Sequence, residues 1–307
     1  MLDLNSLPLP RLFEELTSDG NLDRLLDAAI AEDLRPPGDI TTQSIIEPGR
    51  FARAEITARI AGVAAGVEIL PAIAARFGSI DVDVQVADGT PLEEGASLAS
   101  LRGELAKILG AERIILNVLT RLSGIATLTR QYVEVVAGSR CLICDTRKTT
   151  PGMRALEKYA VRCGGGHLHR IGLFDAALFK DNHLAGIPQR ELGATLASAI
   201  RTVRRRHEVR FVEIEVDTIE QLHIVLSMEQ AERGLVDIVL LDNMPDFKLL
   251  EAVQLRNQVA PRVLLECSGG VTLGRLPAIA ATGVDRVSVG ALTHSAVGLD
   301  IGLDIHE

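Results

Sequence analysis

VRFVEIEVD, residues 209–217, and DIVLLDN, residues 237–243, are short β-branched runs that close on acids: Glu215 and Asp217 in the first, Asp242 in the second. A strand with one wet face alternates apolar and polar residues. A run that is apolar almost throughout reads as a strand covered on both faces, the habit of parallel sheets. Four more runs share the pattern: CLICDT (141–146), AALFKDNH (176–183), RVLLECSGG (262–270) and DRVSVGAL (285–292). Each is followed by a stretch of helical periodicity. Six βα units in a row predict an α/β fold, either a barrel or an open doubly wound sheet. No Gly-x-Gly-x-x-Gly follows the first run, which weakens a dinucleotide-binding reading. Every run also ends in polar or small residues: Arg147 and Lys148, Lys180 and Asp181, Glu215 and Asp217, Asp242, Glu266 and Ser268, Ser288 and Gly290. In a parallel barrel such strand ends converge on one mouth, where active sites sit.

Upstream, residues 1–115 read as an α+β unit. LPRLFEELT and NLDRLLDAAIAEDL have helical spacing, RPPGDITT punctuates, and ARAEITARIAG and IDVDVQVADGTPLEEGASLASLRGE alternate as strands. Residues 116–295 form the second domain, and the tail from about 296 to 307 is expected to join the first. The 307 residues are 47% hydrophobic, 24% charged and only 3% aromatic, so Leu, Ile, Val and Ala must build the core. A net charge of −9 and few aromatic rings argue against nucleic-acid binding. The apolar stretch AGVAAGVEILPAIAARF is broken by Glu68 and Pro71, a poor membrane span. The amino-terminal residues lack a basic segment followed by an apolar run. Cys141, Cys144, Cys163 and Cys267 have no zinc-type spacing and are expected as buried free thiols, consistent with a reducing cytoplasm.

Between residues 140 and 183 eight Lys/Arg face four Asp/Glu, a cationic island in an acidic chain that calls for an anionic partner. It begins with DTRKTTPG (145–152). Arg154, Lys158 and Arg162 then follow at helical i, i+4, i+8 spacing, a stripe expected to face solvent, with Arg162 the exception. Gly164–Gly166 allow close backbone approach, and His167, His169 and Arg170 come at once after them. Arg147, Lys148, Arg170 and Lys180 together suit a small polyanion, since guanidinium forks match carboxylates and lysine acts as a point charge. Glu215 and Asp242 carry the opposite sign at the same mouth. They suit either Mg²⁺ held partly through water or ion pairs with the lysines. The small residues of CSGG (267–270) and VGALTHS (289–295) can offer backbone N–H groups to a phosphate.

DTRKTTPGMRALEKYAVRCGGG, HRIGLFDAALFKDNH, EIEVDT, VLLDN, ECSGGV and VGALTHSA resemble the quinolinate phosphoribosyltransferase family, and the match runs nearly end to end. The resemblance implies an amino-terminal α/β domain and an open, incomplete α/β barrel. It implies phosphoribosyl transfer from phosphoribosyl pyrophosphate to quinolinate, with loss of CO2 and pyrophosphate, in NAD biosynthesis with Mg²⁺. By likeness Arg147, His169, Arg170 and Lys180 bind quinolinate, with Thr146 and Lys148 beside them. Lys148, Glu215 and Asp242 are the implied catalytic set. Glu215 and Asp242 face the ribose and the metal, the latter through water. Ser268, Gly269 and Gly270, with Ser288, Val289 and Gly290, hold the 5′-phosphate. Arg113 reaches the neighbouring subunit's site in a homodimer with shared active sites, which a hexamer of dimers would extend. The sequence departs from the family pattern at Leu168, where Asn is expected before the His-Arg pair.

Two rival readings use the same residues. One is a Schiff-base barrel lyase with Lys180 or Lys148 as the amine. The other is a non-catalytic anion-binding relative, which would gain nothing from Glu215 and Asp242.

Overall fold

In the computed structural model residues 2–306 are described. Their strands run in chain order β1 (Phe51–Ala58), β2 (Gly62–Val63), β3 (Ile80–Val84), β4 (Pro91–Leu92), β5 (Ser97–Glu104), β6 (Leu142–Cys144), β7 (Ala177–Phe179), β8 (Val212–Val216), β9 (Ile238–Asp242), β10 (Leu264–Ser268), β11 (Arg286–Ser288) and β12 (Ile301–His306). The chain groups into two compact units. One holds Gln131–Arg147 and Gly166–Gly290 with residues 2–5; the other holds Ser6–Arg130, Lys148–Gly165 and residues 291–306.

In the second of these, four antiparallel strands are ordered β12-β1-β5-β3. β1 buries Ala54, Ile56 and Ala58 and turns the residues between them outward, the period-2 pattern that its sequence carries. The tail supplies β12, which pairs with β1 from Arg53↔His306 to Ala58↔Ile301. The Pro-Gly punctuation ends in a helix start: Asp39 accepts hydrogen bonds from the N–H groups of Thr41 and Thr42 and caps Ile40–Ile45. The helix Arg154–Cys163 corrects one expectation. Its stripe is not a solvated face, because Lys158 is fully buried while Arg154 and Arg162 are half-buried.

The other unit is a six-stranded parallel sheet ordered β6-β11-β10-β9-β8-β7, an open α/β arrangement with β6 and β7 at its edges. All six sequence runs form its strands. Ile214, Val239, Leu241, Leu265 and Val287 have no exposed surface, as double-sided cover requires, and each contributes roughly 1.5–3 kcal/mol of burial. Helices Gln189–Arg206, Ile219–Ala231 and Asp246–Val259 follow successive strands. Thr218 caps the second of them in a reciprocal pair with Gln221. All four cysteines are free and buried. Among the described residues no helix is long and apolar enough to cross a membrane.

Candidate active site

Side chains two apart on a strand share a face, and ladder partners in a parallel sheet share it too. Glu215 is opposite Leu240, Leu240 opposite Glu266, and Glu266 opposite Arg286. Glu213 and Glu215, Asp242, Glu266 and Ser268, and Arg286 and Ser288 therefore line one face in two tiers. The upper tier lies at the carboxyl ends of the strands: Lys180 just after β7, then Glu215, Asp242, Ser268 and Ser288. The lower tier, one step back along the strands, is Glu213, Glu266 and Arg286.

The upper tier carries both signs of charge. Lys180 Nζ lies 2.6 Å from Glu215 Oε2. Arg147 follows Asp145 and Thr146 beyond β6; its Nε is buried and has no hydrogen-bond partner among the described residues. Arg170 is buried as well. Burial first, then the charge of Arg147, pushes its guanidinium down from its ordinary value, against the pull of Glu213, Asp175 and Glu215. Two guanidiniums close enough to disfavour each other, one with an idle buried donor, form a site that an anion completes. The loop that delivers Arg170 is held by Asp175, which accepts the N–H groups of Ile171 and Gly172 and pairs with Arg210 at 3.2 Å.

Beyond β9 and β10 the backbone turns sharply. Asn243 has φ 52° and Gly269 φ 86°. A Cβ at Gly269 would collide with the Asn243 side chain. Asn243 in turn donates Nδ2–H to Asp242 Oδ2 at 2.7 Å and its own N–H to the Ser268 carbonyl at 2.9 Å. Glycine at 269 is thus what lets Asn243 orient the Asp242 carboxylate. Gly270 also has positive φ and open space around it. Ser288 is buried. Val289 spends its N–H on the Cys144 carbonyl at 2.9 Å, within the sheet.

The lower tier contains two residues that sequence reasoning passed over, Glu213 and Arg286, beside His169 and Glu266, which it named. His169 Nε2 lies 2.8 Å from Glu213 Oε2 and 3.4 Å from Glu266 Oε1, and Arg286 Nε lies 2.8 Å from Glu266 Oε2. Both glutamates are fully buried. Burial pushes Glu213 up to about 7, with Arg286, Arg170 and Lys180 pulling the other way. Burial and then Glu213 push Glu266 up. Phe211 packs edge-on to the His169 ring and under the Arg286 guanidinium. Ligand atoms of His169, Glu213 and Glu266 lie within 4.8 Å of one another, a spacing a metal could use. The imidazole forbids it. Its Nδ1 accepts the Arg170 backbone N–H at 2.7 Å and so carries no proton. A metal on Nε2 would leave the ring with no proton at all, and a neutral imidazole ligand needs one. A legible signal for this tier existed in VEIEV, since two acids at i and i+2 on a strand must face the same way.

Thr146 is half-buried and in the same unit. Lys148 and Arg113 belong to the other unit, where both are exposed; the Lys148 carbonyl accepts the Thr293 hydroxyl at 2.7 Å, and Arg113 lies on the helix Leu105–Val135. Also there, Glu157 is buried and accepts from Arg121 at 2.6 Å and from the Thr150 hydroxyl at 2.8 Å.

Residues 39–123 match the model of the quinolinate phosphoribosyl transferase N-terminal domain, and residues 125–304 that of the C-terminal domain. A nicotinate-nucleotide pyrophosphorylase [carboxylating] of Mycobacterium leprae is 42% identical over 296 residues, 94% of this chain and 100% of the relative. A probable nicotinate-nucleotide pyrophosphorylase [carboxylating] of Bacillus subtilis is 40% identical over 92% of this chain and 93% of its own. The solved nicotinate-nucleotide pyrophosphorylase of Francisella tularensis superposes with a TM-score of 0.84 at 32% identity, covering 100% of both chains. With both domain models matched in order and relatives alike over nearly the whole length, this chain belongs to the quinolinate phosphoribosyltransferase family.

Proposed function

We propose that the protein transfers the phosphoribosyl group of phosphoribosyl pyrophosphate to quinolinate, giving nicotinate mononucleotide, pyrophosphate and CO2. The observation that carries this reading is the pair Arg147 and Arg170, the second buried and the first half-buried with an idle, buried Nε donor. A pyridine with two adjacent carboxylates supplies the missing negative charge, with Lys180 as a third cation. Held there, the ring nitrogen attacks the anomeric carbon as its bond to pyrophosphate breaks. Positive charge on that carbon is stabilised by Glu215 and Asp242, which Lys180 and Asn243 hold in place at 2.6 and 2.7 Å. The pyridinium formed then accepts the electron pair released when the C2 carboxylate leaves as CO2, and a proton from water replaces it. The small turn at Ser268–Gly270, with Ser288 and Gly290, receives the 5′-phosphate. The family resemblance adds Lys148 to the catalytic set.

Glu215 and Asp242 also fit Mg²⁺ bound through water. They are hard oxygen donors on neighbouring strands, and Lys180 and Asn243 each engage one oxygen, leaving one on each acid for a water among the described residues. Bound there, Mg²⁺ would neutralise the departing pyrophosphate. A Schiff-base role suits Lys180 poorly, because its ammonium is an ion-pair partner of Glu215 rather than an amine in an apolar pocket. The protein is further read as a cytoplasmic homodimer. Incubation with carboxyl-labelled quinolinate and phosphoribosyl pyrophosphate should release pyrophosphate and labelled CO2 in equal amounts. Binding of quinolinate without turnover would favour the anion-binding reading instead.

A further inference from the structure

His169 is buried, and each of its ring nitrogens meets a group of the protein. Nδ1 accepts the Arg170 N–H at 2.7 Å. A backbone amide can only donate, so Nδ1 is the unprotonated nitrogen and the ring proton sits on Nε2. That nitrogen lies 2.8 Å from Glu213 and 3.4 Å from Glu266, off the hydrogen-bond line to either, so it meets the two carboxylates through close electrostatic contact. Glu266 is held on its far side by the ion pair with Arg286 at 2.8 Å. Phe211 packs against both His169 and Arg286. The His169 N–H is tied to Asp145 Oδ1 at 2.8 Å, which anchors the strand-like segment beside β6. A rigid polar tier on β8, β10 and β11 therefore ends, through one imidazole, on the amide of Arg170.

From this geometry we propose that His169 is a positioning residue rather than a ligand of the substrate. Its neutral, Nε2-protonated ring transmits the Glu213–Glu266–Arg286 framework to Arg170 and so sets where that guanidinium meets the quinolinate carboxylate. This rests on the quinolinate reading above. It assigns three residues, Glu213, Glu266 and Arg286, to substrate selection without contact. Leu168 fits the same picture. Its side chain is buried and makes no polar contact, while its backbone N–H and carbonyl are clasped by the Asn5 side chain at 2.7 and 3.0 Å. The segment is thus fixed on both sides of the ring.

Two measurements test it. The first is a double-mutant cycle on the Michaelis constant for quinolinate. His169→Ala and Arg170→Ala should each raise it, by roughly ten- to a hundredfold, with little change in that for phosphoribosyl pyrophosphate. The double variant should be no worse than Arg170→Ala, because His169 acts only through Arg170. Glu213→Leu should behave like His169→Ala, and Glu213→Gln, which keeps a polar oxygen of the same reach beside Nε2, should recover most of the affinity that Glu213→Leu loses. Effects of His169 and Arg170 that multiply would mean direct contact with substrate and overturn the proposal. The second needs no variant to be active. In ¹⁵N-histidine-labelled protein, with His169→Gln used only to assign the signal, the His169 ring should show the Nε2–H tautomer both alone and with quinolinate. An imidazolium, or a change of tautomer on adding quinolinate, would overturn it. If wild type shows no quinolinate-dependent turnover, the functional reading fails while the tautomer measurement still decides the role of the ring.

Discussion

At Arg147 and Arg170 the requirement for a ligand is written into single side chains. A charged hydrogen bond is worth roughly 1.5–3 kcal/mol, so Arg147→Ala or Lys180→Ala should raise the Michaelis constant for quinolinate by about ten- to a hundredfold. Asp242→Ala should instead lower turnover and shift the Mg²⁺ dependence, since the role proposed for Asp242 is at the ribose and the metal. Steady-state kinetics with each substrate varied separates the two classes, and full activity with a normal Mg²⁺ response in Asp242→Ala would reassign Asp242 as a structural acid. The thiols make a different residue-scale prediction. Burial pushes Cys141 and Cys144 up to about 12 and Cys267 up to about 11. A raised folded value means the unfolded chain loses its thiol protons first. Their contribution is complete below the unfolded value of 9.0 and is lost as pH rises through about 11 to 12. The urea midpoint should therefore fall above about pH 9, less steeply in Cys144→Ala. Iodoacetamide should leave the folded protein unlabelled at pH 8 and modify all four cysteines once it is unfolded. Labelling of the native chain would show that these sites open readily.

On the scale of an element, the turn after β10 shows how local conformation serves the mouth. Gly269 combines a φ of 86° with the approach of Asn243. Gly269→Ala should cost roughly 1–3 kcal/mol of stability and raise the Michaelis constant for phosphoribosyl pyrophosphate while sparing that for quinolinate. Thermal unfolding together with kinetics checks both, and an unchanged melting temperature would mean the turn relaxes freely. The strands themselves were readable from the sequence because a doubly covered strand needs an unbroken apolar run, and each of the six runs supplies one. Their polar ends were equally plain. VEIEV marks Glu213 as sharing a face with Glu215, but how the lower tier assembles was not legible, for a physical reason. Glu266 and Arg286 are neighbours only through the β10–β11 ladder, and His169 reaches Glu213 only through the fold. Spacing along one chain does not encode which strands are adjacent. Lys158 was misread for a related reason: a helix of ten residues has no sequence mark for which polar face a neighbour will cover.

Across the whole molecule, the −9 chain concentrates positive charge in one segment of sequence, residues 140–183, which favours anions over the acidic remainder of the chain. Arg113 extends the question beyond one chain. It is exposed on a long helix of the unit that does not contain β6 to β11, and nothing in that unit gives it an ion-pair partner among the described residues. The family resemblance assigns it to the partner's site in a two-fold dimer, which makes every site composite. Arg113→Ala and Lys180→Ala should then each be nearly inactive alone. When the two are mixed, unfolded to subunits and reassembled, a hybrid dimer holds one site with both defects and one with neither. Random reassortment makes about half of the dimers hybrid, and each has one intact site of two, so activity should return to roughly a quarter of wild type. Native mass spectrometry reports whether hybrids form. Hybrids at the expected abundance with activity no higher than either parent would place Arg113 in its own chain's chemistry and remove the shared site.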